Sequence, residues 1–338
     1  MKAAVFYGKH DLRIEEIEKP VAKDDEVLIK VMACGICGTD VHIFGGDAGA
    51  APTPPKTVLG HEFAGIVEAV GKNVTTIKAG DHVCVDPNKL CNECDYCRGG
   101  MGHFCEHITG IGTTVNGGFA EYCAVPVSQI YKFDGDDFNK AAMTEPVACC
   151  LHGIDRCNIT CGETVLIIGG GMIGMIMLQL AKISGAGKII MAEPVAEKRE
   201  EAKKLGADIC IDNVKENLCE ALEKNGVGRV GVVIECVGKK ATMAQAIEAA
   251  GNKATVMLFG LTAPDDEIPI KPFEIFKKEL TITASYINPY TQKRALTLIE
   301  NDKIDVSSMV YKAAKLEELP ALLADPKERA KGKIIIVP

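Results

Sequence analysis

From Thr164 to Ala181 the chain carries no charged residue, yet Gly169, Gly170, Gly171 and Gly174 fall inside the stretch. A membrane-spanning helix needs about 20 apolar residues, and glycines at this density argue against one. Before the glycines stands the β-branched run Val165-Leu166-Ile167-Ile168, and after them a Met/Leu-rich segment of helical character. The stretch therefore reads as strand, tight turn and helix. At the junction, Gly169-Gly170-Gly171-Met172-Ile173-Gly174 fits G-x-G-x-x-G, the pattern that places a pyrophosphate on the amides of a helix N-terminus. Gly169 allows the turn, Gly171 lets the backbone approach the anion, and Gly174 permits close helix packing.

Glu193 lies 19 positions beyond Gly174, at the end of the strand-like run Lys188-Ile189-Ile190-Met191-Ala192. A carboxylate there accepts both hydroxyls of an adenosine ribose and repels a 2'-phosphate, so NAD is the expected cofactor. Lys198 and Arg199 follow on the next helix, where a solvated face or a phosphate contact would suit them.

Around this unit the pattern repeats. Strands near 164–168, 188–192, 209–212, 230–236 and 253–259 alternate with helical segments such as 197–206 and 242–250, as in a doubly wound parallel sheet. Residues 1 to about 150 instead alternate short apolar runs with Gly and Pro, which predicts a β-rich domain. A helix is expected over 291–301, and Gly332-Lys333-Ile334-Ile335-Ile336-Val337 reads as a strand that needs a sheet to join. Two domains suit a chain of 338 residues.

A net charge of -8 offers no footprint for nucleic acid or an anionic membrane, which leaves small molecules as the expected partners. Charge appears too early at the N-terminus for a signal peptide, so the chain is expected in the cytoplasm and its 15 cysteines as thiols. Four of them, Cys91, Cys94, Cys97 and Cys105, are spaced C-x2-C-x2-C-x7-C. A disulfide knot would need an oxidising compartment, and an iron-sulfur cluster is the other competitor; the spacing favours tetrahedral zinc. Four thiolates leave no open position, so this zinc is structural.

Two further clusters lie upstream, Cys37-Gly38-Thr39-Asp40-Val41-His42 and Gly60-His61-Glu62-Phe63-Ala64-Gly65. Separately, each suits an ordinary core or loop. Together, Cys37 and His61 supply a thiolate and an imidazole with room for a carboxylate or water and an exchangeable substrate position, as catalytic zinc requires.

With these residues in place the chain resembles the zinc-dependent medium-chain dehydrogenases and reductases, in their alcohol and polyol dehydrogenase group. Gly60-His61-Glu62-x-x-Gly65-x5-Gly71-x-x-Val74 fits the family's zinc signature, and the four-cysteine lobe and nucleotide motif follow in order. The resemblance implies an α/β protein with a β-rich, GroES-like catalytic domain, residues 1–150 and 290–338, and a Rossmann domain, residues 151–289. It implies one catalytic and one structural zinc per subunit, and a homo-oligomer, dimer or tetramer. Cys37 and His61 resemble catalytic zinc ligands. The third ligand is Glu62 or Glu145, since related enzymes use either. Asp40 resembles the carboxylate that orients a ligating imidazole, and Thr39 with His42 the relay that carries a proton to solvent. Glu145-Pro146 and Tyr286-Ile287-Asn288-Pro289-Tyr290 resemble the polyol branch, whereas Ile43 and Ser285 stand where sorbitol enzymes place an aromatic residue and an Arg. A secondary alcohol of a polyol is the expected substrate. L-Threonine is the main alternative, because Cys37 to Ile43 resembles the threonine 3-dehydrogenase signature; a phosphorylated polyol comes next, and a non-enzymatic NAD- or zinc-binding protein last.

Overall fold

The computed structural model describes residues 1–47 and 51–338, which form two compact units, Met1–Ala148 with Asn288–Pro338, and Cys149–Ile287.

The first unit is built on a seven-stranded sheet whose spine is Glu26–Gly35. That strand pairs antiparallel with Glu62–Val70 on one side and with Lys333–Val337 on the other, while Tyr122–Pro126 also pairs with its first half. Its inward residues Val27, Ile29 and Val31 are buried, with Phe63, Val67, Phe119 and Ile336 in the same core. The apolar C-terminal run thus finds its sheet: Lys333–Val337 lies between Glu26–Gly35 and the parallel Val310–Lys315. Val310–Lys315 and the helix Gln292–Glu300 belong to the same unit.

The second unit is a six-stranded parallel sheet in the order Ile209–Ile211, Lys188–Ala192, Thr164–Ile168, Val232–Glu235, Thr255–Leu258, Thr281–Ala284. Its central strands read as continuous apolar runs because both faces are covered: Val165 to Ile168 and Val233 to Ile234 have no exposed surface. The uncharged stretch resolves as the strand Thr164–Ile168 and the helix Met172–Ile183. Sequence order reverses around Thr164–Ile168, the chain's first strand in this sheet. Ligands of such sheets bind at that point, outside the carboxyl ends of the strands.

Candidate active site

In the first unit, the strand Glu26–Gly35 runs out at Gly35, and after one further residue Cys37 precedes the short helix Gly38–Phe44. Asp40, fully buried, is the tie that shapes this corner. Its Oδ2 accepts the backbone N–H of Cys37 at 2.8 Å, and its Oδ1 lies 3.4 Å from Nδ1 of His61. A carboxylate behind a ligating imidazole fixes the ring's orientation and tautomer. His61 sits just before the strand Glu62–Val70, which is registered so that Glu62 faces Gly35. Gly60, with φ +95°, makes the approach possible: a Cβ there would meet Cys34 Sγ at 2.7 Å.

The ligand atoms of Cys37, His61 and Glu62 all lie within 4.8 Å of one another. Glu145, at the start of the helix Thr144–Cys157, is buried but is not one of that set. Thiolate, imidazole and carboxylate are the donors that suit zinc, and three of them leave one position open. Burial disfavours a charged imidazole, yet Asp40 and the Cys37 thiolate outweigh it and hold the His61 pKa well above its ordinary value. A metal ion therefore displaces a proton on entering.

Sequence reasoning missed one member of this cluster. Lys333, at the head of the strand Lys333–Val337, is 4% exposed, forms an ion pair with Glu62, and donates from Nζ to the carbonyl of Ile36 at 2.9 Å. Burial works against its charge, but Glu62 and the Cys37 thiolate raise its pKa above the ordinary lysine value. Gly35 makes room for the pair, since a Cβ there would fall 2.3 Å from Glu62 Oε2 and 2.6 Å from Lys333 Cε. The available signal was a lone lysine opening an otherwise apolar strand. A zinc ion and Lys333 together would balance the charges of Cys37, Glu62 and Asp40.

On the short helix, the Thr39 hydroxyl lies 3.7 Å from Cys37 Sγ. His42, one turn on, has a side chain 43% exposed with Nδ1 3.4 Å from Asp47. Ile43 packs in the core, and Ser285 is not idle: its hydroxyl lies 3.0 Å from His152 Nδ1. Asn288 of the Tyr286–Tyr290 segment is buried and bonded to Asn88 and Gln292.

The Sγ atoms of Cys91, Cys94, Cys97 and Cys105 also lie within 4.8 Å of one another, and all are free thiols. Backbone N–H groups of Glu93 and Cys94 point at Cys91 Sγ, each at 3.4 Å, and lower its pKa to about 6. Desolvation and the neighbouring sulfurs push Cys97 up to about 12. Four sulfurs this close need a cation before all can ionise, which fits a closed zinc site. By contrast, burial is the main cause that pushes Cys84 and Cys123 up to about 12, as expected of inert packing cysteines.

In the second unit each glycine of the turn has a distinct task. Gly169 has φ +103°, Gly171 faces open space, and a Cβ on Gly174 would fall 1.8 Å from the Gly169 carbonyl oxygen. Met172 and Ile173 open the helix beside them, so its first amides face outward at the turn. Glu193, 6% exposed, follows the neighbouring strand; its Oε2 accepts from Gly170 N at 2.7 Å and its Oε1 from Val195 N at 2.9 Å. Arg199 is committed to the Glu193 carbonyl and to Asp212, at 2.7 and 3.3 Å, while Lys198 stands beside it on the helix Ala196–Leu205.

Comparison with known proteins agrees with this layout. Residues 23–135 match the alcohol dehydrogenase GroES-like domain, and residues 173–301 match the zinc-binding dehydrogenase domain. D-Arabinitol dehydrogenase 1 of Uromyces fabae is 31% identical over 99% of this chain and 97% of its own length. The chain belongs to the zinc-dependent medium-chain dehydrogenases. An L-threonine 3-dehydrogenase of Caldanaerobacter subterraneus subsp. tengcongensis is 37% identical to this dehydrogenase over 78% of the chain and 76% of its own. Among solved structures, a zinc-binding dehydrogenase from Sinorhizobium meliloti bound to NADP superposes with a TM-score of 0.95 at 36% identity, covering 100% of this chain and 99% of the other. The enzyme is accordingly a nicotinamide-linked, zinc-dependent oxidoreductase of the polyol dehydrogenase type, with a GroES-like and a Rossmann-type domain.

Proposed function

We propose that this dehydrogenase oxidises a secondary alcohol of a neutral polyol to the ketone, with NAD as hydride acceptor. The observation that carries the reading is the convergence of Cys37, His61 and Glu62 with one coordination position to spare. Zinc held there would supply Lewis acidity, making a substrate hydroxyl acidic near neutral pH. Asp40 fixes the imidazole, Lys333 balances the carboxylate, and Glu145 stands as the alternative ligand or as an acceptor for a substrate hydroxyl. Thr39 and His42, three residues apart and so neighbours on one helix face, carry the proton from the buried metal corner to solvent. Cys91, Cys94, Cys97 and Cys105 hold the structural zinc.

The preference for NAD rests on Glu193. Its carboxylate is fixed by two backbone amides, and the Arg199 guanidinium is already tied to Asp212, so a 2'-phosphate would meet negative charge. The cytoplasm is the compartment that keeps free thiols reduced, and among the described residues no helix is long and apolar enough to cross a membrane. A homo-oligomer fits the edge strand Thr281–Ala284, which among the described residues pairs on one side only and lies near exposed Phe273 and Phe276 in sequence.

The threonine dehydrogenase likeness favours a second reading, oxidation of L-threonine at the same site. A panel of pentitols, hexitols, butanediols and L-threonine, followed at the nicotinamide absorbance with NAD and NADP, separates the two. Polyols should lead with NAD; L-threonine ahead of every polyol by tenfold or more in kcat/KM would move the enzyme to the second reading.

A further inference from the structure

Two carboxylates flank the glycine turn, and only Glu193 was expected. The other is Glu235, the last residue of the strand Val232–Glu235, which is registered against Ile168 on the opposite side of the turn. Glu235 has no exposed surface, and no ion pair to it is found among the described residues. A buried carboxylate without a cation must be satisfied by hydrogen-bond donors. Here they come from the chain that follows it: Val237 N and Gly238 N donate to Oε1 at 2.9 and 3.0 Å, Gly238 N also reaches Oε2 at 3.2 Å, and the Thr242 hydroxyl donates to Oε1 at 2.7 Å.

The loop is thereby wrapped around the charge, and glycines let its neighbours close in. A Cβ on Gly260 would fall 2.6 Å from Glu235 Oε2, and one on Gly238, where φ is +74°, 2.3 Å from the Leu261 carbonyl oxygen. On its other side the loop meets the nucleotide turn. Cys236 N donates to the Ile168 carbonyl at 2.8 Å, and Val237 Cγ2 lies where a Cβ on Gly169 would reach it at 2.6 Å. Val237 nevertheless keeps 38% of its surface exposed, at the carboxyl end of the sheet and beside the switch point.

We propose that Glu235 is a positioning residue for the dinucleotide: its carboxylate sets the Val237–Gly238 loop as the wall of the cofactor cleft opposite Glu193. This rests on the reading that the Gly169–Gly174 turn binds the cofactor. The charge matters because a carboxylate accepts on both oxygens, whereas a glutamine would turn an N–H toward a backbone donor.

The test uses the zinc-loaded full chain and NADH binding by fluorescence titration, with KM for NAD, kcat, zinc content and melting temperature measured alongside. Glu235→Gln should raise the NADH Kd and the KM for NAD about tenfold, with a smaller effect on kcat at saturating NAD and zinc at the parent level. Thr242→Val removes one donor from the helix side and should raise Kd about threefold in a protein that folds as the parent does. Variants that bind NADH as the parent does, even with a lowered melting temperature, would reduce Glu235 to a structural role. If Glu235→Gln does not fold, parent-like NADH binding by Thr242→Val overturns the proposal by itself. A parent that binds no NADH would instead sink the cofactor reading.

Discussion

Replacing Lys333 by methionine tests the electrostatics of the metal corner. Methionine keeps most of the lysine stem's volume, so packing changes little, and what is lost is the charge facing Glu62. Both partners are buried, Lys333 at 4% exposure and Glu62 at 0%. Removing one member of such a pair strands the other and costs about 3–5 kcal/mol. At roughly 2 °C per kcal/mol for a chain of this size, the metal-free protein should melt about 6–10 °C below metal-free parent. In the zinc-loaded protein the ion takes over as counter-charge for Glu62, and the gap should shrink to less than half. Calorimetric melts of parent and variant, each with and without a chelator, supply the four values needed; loss of the four-cysteine zinc is common to both proteins and cancels in the comparison. Lys333→Met combined with Glu62→Gln should recover most of the metal-free loss. Equal gaps with and without zinc, or a metal-free variant within about 2 °C of its parent, would refute this account of the pair.

Three further outcomes are expected. Cys97→Ser should lower stability and zinc content by one ion per chain, read by emission spectrometry, because closed thiolate coordination contributes folding energy. Glu193→Ala should weaken NAD and narrow its advantage over NADP in kcat/KM, since two ribose hydrogen bonds and a repulsion are lost together; a parent that already prefers NADP would refute the assignment. Asp86 is partly buried, and desolvation raises its carboxyl pKa from 3.8 to about 6. The folded state thus keeps a proton that the unfolded chain has released, and stability should fall as pH rises from about 4 to about 6. Asp86→Asn should flatten that slope in chemical denaturation and be about 1 kcal/mol more stable than the parent above pH 7.

The parallel sheet was the most legible part of the chain because its strands are buried on both faces and so appear as unbroken apolar runs. Thr164–Ile168, Lys188–Ala192 and Val232–Glu235 all fall where the runs predicted them. The convergence of the four sulfurs of Cys91, Cys94, Cys97 and Cys105 was readable too, because close cysteine spacing brings side chains together locally. What escaped was long-range. Lys333 acts through a neighbour strand far away in sequence, and its place at the head of an apolar strand does not name Glu62 as its partner. Glu235 looked like the polar end of a strand, because the donors that make it tolerable are backbone amides, which carry no signature in side-chain identity. Glu62 and Glu145 could not be told apart by pattern, and the structure gathers Glu62, rather than Glu145, with Cys37 and His61.

The sheet register also bears on the order in which the protein can assemble during synthesis. Lys333 follows Ile36, whose carbonyl it binds, by 297 residues, so at roughly 5–20 residues per second the ribosome needs about 15–60 s to travel between them. All of Cys149–Ile287 emerges within that interval as one continuous segment and can complete its own sheet. Meanwhile the strand Glu26–Gly35 waits with its Cys34–Gly35 end unpaired on the edge that Tyr122–Pro126 covers only over the first half, and Glu62 waits without its lysine. Folding of the nascent chain should therefore run out of sequence order, the middle before the beginning, with the first-made unit the one most in need of protection while translation continues.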